Sequence, residues 1–350
     1  MQENKRLKIG ITIGDMNGVG PEIILKTFAD KRMLEFCTPV IYSSTKTLEF
    51  VKKHFEYNID FNGIKSSTQA EDNKVNIVNC WSETLQINFG TKDKNIGKHA
   101  IISLKAAISD LKQNYLDAVV TAPINKECVQ SEEFKFPGHT DYLDNEIEGK
   151  ALMLMVSGNL RIGLLTDHIP VSKISESITK EVVENKINTI HKTLIEDFKI
   201  SKPKIAILGI NPHSGDGGLI GVEEKTVLFP VFEKMRENNL LVFGPYSADS
   251  FFGSRQHESF DAVVATYHDQ GLIPFKTLSF GQGVNFTAGL KKIRTSPDHG
   301  TAYSIAGKGI ADETSFKEAV FLAIATYRNR KEHQELTKGA IKEENPTKTK

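Results

Sequence analysis

The stretch Ile96–Thr121, IGKHAIISLKAAISDLKQNYLDAVVT, contains the two patterns that decide the fold class. Its first part has apolar side chains at helical spacing, at Ile96, Ala100, Leu104, Ala107, Leu111 and Tyr115. This spacing predicts an amphipathic helix over Ile96–Tyr115. The run Ala118–Thr121 follows directly and has the length and composition of a strand. A helix followed at once by a short apolar strand is the repeating unit of α/β proteins with a largely parallel sheet.

The same alternation recurs on both sides of this stretch. Strands are also predicted at Lys8–Ile13, Pro39–Ser43, Val75–Asn79, Arg161–Thr166, Lys204–Ile210, Leu240–Phe243 and Ala262–Tyr267. Further helices are predicted at 179–198, 222–237 and 313–329. One exception is the turn signal Ser157-Gly158-Asn159 between Ala151–Val156 and Arg161–Thr166, which predicts an antiparallel hairpin inside the sheet.

Composition narrows the classes of protein that need to be considered. At 350 residues the chain exceeds one ordinary core, so we expect two α/β lobes or one large sheet system. Lys+Arg and Asp+Glu are equal at 44 each, so no net charge favours nucleic acid or an anionic membrane. An anionic ligand must therefore be held by local charges.

Targeting and redox signals are sparse. The apolar runs are too short to span a bilayer, and Met1–Lys8 lacks the apolar stretch of a secretory signal. The three cysteines are scattered and suggest neither a disulfide framework nor a metal site. We expect a cytoplasmic protein, and a polar, flexible tail from about Lys331, with 336–350 as its most flexible part.

Polar and glycine-rich clusters follow four of the predicted strands. They are Gly14–Glu22, Thr121–Lys126, Asn211–Asp216 and His268–Gly271. Ligands of open α/β sheets bind beyond the carboxyl ends of strands. These clusters are therefore candidates for a functional site.

Three histidines share this placement. His168, His213 and His268 each follow a different predicted strand, so the fold can bring them to one point. Three neutral imidazoles with an open position suit Zn²⁺, Co²⁺ or Ni²⁺ acting as a Lewis acid. The alternative is that each is an ordinary loop histidine. Asp167 and Asp269 either orient these imidazoles or are solvated carboxylates.

A second candidate is the segment Pro137–Asp141. The glycine before His139 and Thr140 can present both side chains to a ligand. Alternatively, Thr140 caps a helix that continues through Tyr142 and Leu143.

A third candidate is an anion site. Lys126, Lys276 and Arg294 are predicted loop cations near the glycine-rich backbone of Gly281–Gly289, and a phosphate needs such donors. The alternative is that they are solvated surface charges.

Two segments of the sequence are candidates for binding a nucleotide. Gly14, Gly18 and Gly20 follow the first strand, but Ile23 replaces the third glycine of the G-x-G-x-x-G pattern, which argues against an ordinary Rossmann site. The small residues of Asp298–Gly309 let backbone approach a flat ligand closely, which makes this loop the better candidate.

Taken together, these motifs resemble the 4-hydroxythreonine-4-phosphate dehydrogenase family. The matching segments are Val120–Lys126, Pro137–Thr140, Asp167–Pro170, Asn211–His213, Gly244-Pro245 with Ala248-Asp249, Tyr267–Gly271, Ile293–Ser296 and Asp298–Ala302. They run in order from about residue 8 to 312. His299–Lys308 is also similar to the adenine-side loop of isocitrate and isopropylmalate dehydrogenases, whose fold the family shares. The first loop departs from the family's usual Gly-Asp-Pro-Ala-Gly, because Met16 and Asn17 replace proline and alanine.

The resemblance implies a two-lobed α/β/α fold with mixed sheets and no standard Rossmann domain. Residues 1–130 with about 280–335 would form the cofactor-side lobe. Residues 131–280 would form the metal, substrate and dimerisation lobe. It also implies a homodimer with the active site at the interface, where one metal ligand comes from the partner.

The resemblance further implies NAD(P)- and metal-dependent oxidation of 4-phosphohydroxy-L-threonine in vitamin B6 synthesis, with decarboxylation to 3-amino-2-oxopropyl phosphate. The metal is expected to be zinc, with magnesium, cobalt and manganese as alternatives. There are two alternative functions. One is a dehydrogenase of a related acid such as 4-phospho-threonate, and the other is a cofactor-free metal-dependent hydrolase or lyase.

The implied site has four sets of residues. The metal ligands would be His168, His213 and His268. The substrate contacts would be His139, Thr140, Lys276, Asn285 and Arg294. The cofactor contacts are expected at Gly14, Asp15, Asp298, His299, Gly300, Thr301 and Ala302. The proton acceptor is expected to be His139, Asp249 or Lys276.

Overall fold

The computed structural model describes residues 6–338, and its strands form one twelve-stranded sheet. The strands are β1 Leu7–Thr12, β2 Cys37–Ser43, β3 Phe61–Ile64, β4 Val75–Asn79, β5 Ala118–Thr121, β6 Gly149–Ser157, β7 Leu160–Leu164, β8 Lys204–Leu208, β9 Leu241–Tyr246, β10 Ala262–Ala265, β11 Val284–Leu290 and β12 Arg294–Pro297. Their order across the sheet is β3-β4-β2-β1-β5-β12-β11-β6-β7-β10-β8-β9.

The α-helices fill the connections between these strands. They are α1 Gly20–Ala29, α2 Met33–Phe36, α3 Thr45–His54, α4 Lys94–Lys112, α5 His139–Glu146, α6 Ile174–Ser177, α7 Lys180–Glu196, α8 Phe229–Glu237, α9 Ala248–Gly253, α10 His268–Ser279 and α11 Thr314–Thr337. A π-helical turn, Glu224–Leu228, leads directly into α8.

The sheet contains two parallel blocks that run in opposite directions. One block extends from β3 to β12 and the other from β7 to β9. Between them lie three antiparallel pairs, β12 with β11, β11 with β6, and β6 with β7. Because three reversals separate the blocks, their carboxyl ends point in opposite directions. Strands β11 and β6 therefore bridge the two halves of the chain.

Both faces of the sheet are buried against helices. In β10, Ala262 and Val264 belong to one apolar cluster, whereas Val263 and Ala265 belong to another on the opposite face. In β5, Val119 and Val120 divide in the same way. Strands buried on both faces are expected to be continuously apolar. The result is the three-layer α/β/α arrangement that the sequence predicts.

Most of the predicted elements are confirmed. All eight predicted strands are present with ends shifted by a few residues, and the hairpin is formed by β6 and β7, where Ser157 lies opposite Leu160. The predicted helix Ile96–Tyr115 ends earlier, at Lys112, and Asn114 just beyond it has a left-handed backbone.

The region after α10 differs from the prediction. The expectation that Arg294 and Lys276 are loop cations was wrong, because Arg294 is the buried first residue of β12 and Lys276 lies in α10. The glycine-rich stretch before it was also misread as a loop, since Val284–Leu290 is a seven-residue strand with an irregularity between Ala288 and Leu290. The short strand β3 was not predicted either.

The carboxyl-terminal prediction needs a correction as well. The flexible tail expected from Lys331 was wrong in its first part, because α11 continues to Thr337. The remainder of that predicted tail, 339–350, lies outside the described residues. Within residues 6–338, no helix is long and apolar enough to cross a membrane. The division into two lobes at residues 130 and 280 stays a prediction.

Candidate active site

A cavity of about 300 Å³ lies against the central strands and between the polar segments that follow β5, β7 and β10. All five expected substrate-binding residues line it, namely His139, Thr140, Lys276, Asn285 and Arg294. Two of the expected metal ligands, His168 and His268, also line it, as do Asp298, His299 and Gly300 of the expected cofactor loop. The structure thus brings together residues that are more than 100 positions apart in sequence.

Arg294 is a buried cation without a carboxylate partner among residues 6–338. Its side chain is 2% exposed. Its Nε and Nη2 donate to Thr121 Oγ1 at 3.0 and 2.7 Å, and its Nη1 donates to Thr287 Oγ1 at 3.1 Å. Burial lowers the pKa of Arg294 to about 9. A guanidinium has five N–H groups, so two remain free to bind an anionic ligand.

His139 is held at the start of α5, where Gly138 occupies the N-cap position. Its Nε2 is buried and has no hydrogen-bond partner. Burial, and then the charges of Arg294 and Lys126, lower the pKa of His139 well below 6.5. The imidazole is therefore neutral and can bond a ligand. Because α5 begins at His139, the alternative that Thr140 caps this helix was wrong.

Positive charge predominates around the cavity. Lys126 comes from the segment after β5, Lys276 comes from α10, and Arg294 comes from the start of β12. Two carboxylates, those of Asp141 and Asp298, line the same cavity. Three cations against two carboxylates favour an anionic ligand such as a phosphorylated acid.

The imidazoles of His168 and His268 are neighbours, with ring centroids 5.8 Å apart. His268 begins α10, and its Nδ1 lies 2.8 Å from Asp269 Oδ1. Burial, and then the charge of Lys126, lower the pKa of His168. Adjacent imidazoles suit a divalent metal, and the contact with Asp269 fits the predicted role of orienting His268.

His213 is placed differently. It is exposed on a turn where residues 213–217 all have a left-handed backbone, and it does not line the cavity. Within residues 6–338 of one chain, no group of three His, Cys, Asp or Glu side chains can hold a metal. A single chain therefore brings together two of the three expected ligands. Asp249, the third expected proton acceptor, also lies outside the cavity lining.

On the cofactor side, the first loop contacts the Asp298–Gly309 loop. Tyr303 Oη donates to Asp15 Oδ2 at 2.5 Å, and Val19 N donates to Thr301 O at 2.9 Å. Burial raises the pKa of Asp15, and the hydrogen bond from Tyr303 partly opposes this. Gly14 has a φ of +68° and packs against the backbone after β5, a conformation that favours glycine.

The expected cofactor loop offers a polar group to a ligand. His299 Nε2 is buried without a partner, and Gly300 has open space around its α-carbon. Both line the cavity beside Asp298. A free ring nitrogen next to an open glycine suits a flat polar ligand such as part of a dinucleotide, which needs hydrogen-bond partners and close backbone approach.

Sequence reasoning placed Thr121 in a candidate cluster without giving it a role, and it missed Thr287, Met153 and Met155. Thr121 and Thr287 hold Arg294, yet a threonine in a strand has no sequence signal that marks it as the partner of a distant arginine. Met153 and Met155 of β6 also line the cavity, and they were read only as strand residues.

Comparison with known proteins identifies the family of this chain. Residues 35–323 match the family model described as pyridoxal phosphate biosynthetic protein PdxA. The chain is 47% identical to 4-hydroxythreonine-4-phosphate dehydrogenase of Bacteroides thetaiotaomicron, covering 94% of this chain and 91% of that protein. It is 37% identical to D-threonate 4-phosphate dehydrogenase of Cupriavidus necator, covering 89% and 95% respectively.

Solved structures show the same fold. The crystal structure of 4-hydroxythreonine-4-phosphate dehydrogenase from Klebsiella pneumoniae superimposes with a TM-score of 0.80 at 31% identity, covering 93% of this chain and all of that one. Isocitrate dehydrogenase from Methylococcus capsulatus has a TM-score of 0.50 at 14% identity, covering 95% of this chain and 89% of that one, which shows a shared fold only. The predicted fold is confirmed, and the chain belongs to the PdxA family of dehydrogenases.

Proposed function

We propose that the protein catalyses NAD- or NADP-dependent oxidation of 4-phosphohydroxy-L-threonine, followed by decarboxylation to 3-amino-2-oxopropyl phosphate. The names of the most similar relatives support this substrate. The observation that carries the proposal is the buried, unpaired Arg294 in a cation-rich cavity that opens onto His168 and His268. Such a cavity suits a small acid that carries a phosphate at one end and a hydroxyl to be oxidised.

The cavity residues have separate tasks in this scheme. Arg294, Lys126 and Lys276 bind the phosphate and carboxylate, and they orient the carbon that loses hydride. The neutral His139 accepts the hydroxyl proton. Because an anionic substrate offsets the charges of Arg294 and Lys126 that lower the pKa of His139, the imidazole can hold this proton until it passes to the carbon from which CO₂ leaves. The C–H bond and then the C–C bond to the carboxylate break, and the proton is conserved.

Two groups absent from the chain complete the chemistry. When bound, a divalent metal polarises the substrate's hydroxyl and ketone oxygens, and a nicotinamide takes the hydride. His168 and His268 would hold the metal, with zinc the first choice for imidazole ligands. His299 and Gly300 would contact the dinucleotide.

We propose that His213 reaches the cavity of a second copy in a homodimer. Its exposure, and its absence from the cavity of its own chain, support this arrangement. The exposed apolar side chains Leu219, Ile220 and Val222 beside it would also be covered by a partner.

The proposal is tested by following the absorbance of reduced cofactor with 4-phosphohydroxy-L-threonine, with and without a chelator. We expect turnover that depends on metal, and a loss of more than about tenfold in His213→Ala. The control His333→Ala changes a histidine of α11 outside the cavity and should retain turnover. Full activity of the metal-stripped enzyme would reject the scheme.

A sister activity on D-threonate 4-phosphate is the second candidate, because the Cupriavidus necator relative has that name. The two substrates differ in carrying an amino group or a hydroxyl beside the carboxylate. The ratio of their kcat/KM values decides between them. A ratio that favours the hydroxy acid would replace the proposed substrate while leaving the proposed chemistry intact.

A further inference from the structure

Asn17 is a fully buried amide that the proposed chemistry does not use. Its Nδ2 donates to Thr91 O at 3.1 Å and to Thr91 Oγ1 at 3.3 Å, and its Oδ1 accepts from Asn88 N at 2.9 Å. Its backbone oxygen accepts from Gly90 N at 2.8 Å. One residue of the first loop therefore ties down the whole segment Asn88–Thr91, which we call the strap.

The strap packs against the Asp298–Gly309 loop. The Phe89 side chain lies directly on Gly307, where an added Cβ would come within 2.7 Å of it. Gly90 faces Tyr303 O, with 3.0 Å between that oxygen and an added Cβ. The strap consequently forms a wall that supports the loop expected to bind the dinucleotide.

Asn17 is also bonded to Asp15, which itself contacts the Asp298–Gly309 loop. Its own N–H donates to Asp15 Oδ1 at 2.9 Å, and the other carboxylate oxygen of Asp15 accepts from Tyr303. Two residues further along the chain, Val19 bonds Thr301. The first loop, the strap and the Asp298–Gly309 loop thus meet around one amide side chain.

We infer that Asn17 is a positioning residue for the dinucleotide, acting through the strap to hold the Asp298–Gly309 loop in its binding conformation. This inference rests on the proposed use of NAD or NADP. An alanine at position 17 would leave the Asn88 N–H and the Thr91 carbonyl without partners, so the strap would be released. When the strap is released, the Asp298–Gly309 loop must become ordered as the ligand binds. The conformational entropy lost in that step weakens binding.

A second buried asparagine provides a matched control. Asn76 in β4 is also fully buried, and its Nδ2 donates to the backbone oxygens of Pro39, Glu71 and Lys74. It lies near the edge of the sheet and makes none of these contacts to the strap or the loop. Asn76→Ala should therefore cost comparable stability without changing the cofactor side.

The test measures the dissociation constants of NAD⁺ and NADP⁺ by calorimetry without substrate, together with hydrogen exchange of residues 298–309. We expect Asn17→Ala to weaken binding of the preferred dinucleotide about five- to tenfold and to speed exchange in that loop. In turnover assays the KM for the dinucleotide should rise, and the KM for the phosphorylated acid should stay within about twofold. Asn17→Asp keeps the acceptor for Asn88 but puts a carboxylate against Thr91 O, so it should also release the strap and weaken binding.

The outcomes separate this inference from the proposed function. If Asn76→Ala weakens binding as much as Asn17→Ala, or if exchange of residues 298–309 is unchanged in Asn17→Ala, the positioning role is overturned. If the wild-type protein binds no dinucleotide at all, the proposed cofactor is wrong, whereas the exchange measurement still decides whether Asn17 holds the loop.

Discussion

The pKa of His139 is set by the groups that surround its side chain. Burial and the nearby charges of Arg294 and Lys126 all disfavour its protonated form. In the unfolded chain the same imidazole titrates near its ordinary pKa of about 6.5. The folded protein therefore resists a proton that the unfolded chain accepts.

This difference predicts a pH dependence of stability. As the pH falls below about 6.5, protonation of the unfolded chain at His139 should lower the free energy of unfolding by up to about 1.4 kcal/mol per pH unit. The contribution is present above that pH and is lost below it. His139→Gln should remove it, so urea unfolding at pH 7.5 and pH 5.5 should show a smaller loss in the variant. Parallel losses in the two proteins would contradict the assignment.

The sequence predicted which residues belong to the candidate site. It did not predict how deeply each is buried or which side chains it contacts. His139, Lys276 and Arg294 stand in recognisable motifs, so resemblance identifies them. The burial of Arg294 and its two threonine partners depends on strand pairing between residues 173 positions apart, and no local pattern carries that information.

Helix α10 depends on close contact with the sheet. At Gly271 an added Cβ would lie 2.8 Å from Leu164 Cδ2 and 3.0 Å from Ala265 Cβ. These neighbours belong to β7 and β10, which His168 and His268 follow in the chain. The position of His268 at the start of α10 is therefore set by a glycine one turn later.

Gly271→Ala should consequently destabilise the protein by about 1–2 kcal/mol, because overpacking outweighs the gain in helix propensity. Turnover should fall as well, since α10 carries His268 and Lys276. Gly253→Ala in α9 is the control, because open space surrounds an added Cβ there, and we expect no destabilisation. Urea unfolding and kcat are the measurements, and equal stability of the two variants would refute the packing argument.

Strands β3, β11 and β12 were not predicted from the sequence, and β11 shows why. The run Val284–Leu290 contains Asn285, Thr287 and Gly289, and the last has a positive φ at an irregularity in the pairing. Polar and glycine residues of this kind read as a loop. They occur in the strand where Asn285 lines the cavity and Thr287 holds Arg294. Tertiary contacts override local propensity at this point.

At the scale of the whole molecule, the proposed exchange of His213 between copies predicts complementation. Subunits carrying His213→Ala and subunits carrying His168→Ala should each be inactive alone. After mixing and subunit exchange, half of the dimers are mixed and one site in each has all three histidines, so about a quarter of wild-type activity should return. Activity of the mixture no higher than that of the separate variants would show that His213 acts within its own chain.

The α/β fold class followed from alternating helical and apolar patterns, because those patterns are local, whereas the α/β/α arrangement was implied by the family resemblance. The way in which the two parallel blocks are joined could not be predicted from local patterns. Strand β12 pairs with β5 although 172 residues separate Thr121 from Arg294. Pairing over such a distance is fixed by the complete core rather than by any segment.

That late insertion has a consequence for biosynthesis. On the ribosome, β5 and β6 emerge long before residues 284–297, and each lacks one neighbour until β11 and β12 follow. The nascent chain thus has two open sheet edges, which are surfaces prone to association with other chains. Translation of residues 284–297 closes both edges, so premature termination shortly before residue 284 would release an aggregation-prone fragment rather than a smaller enzyme.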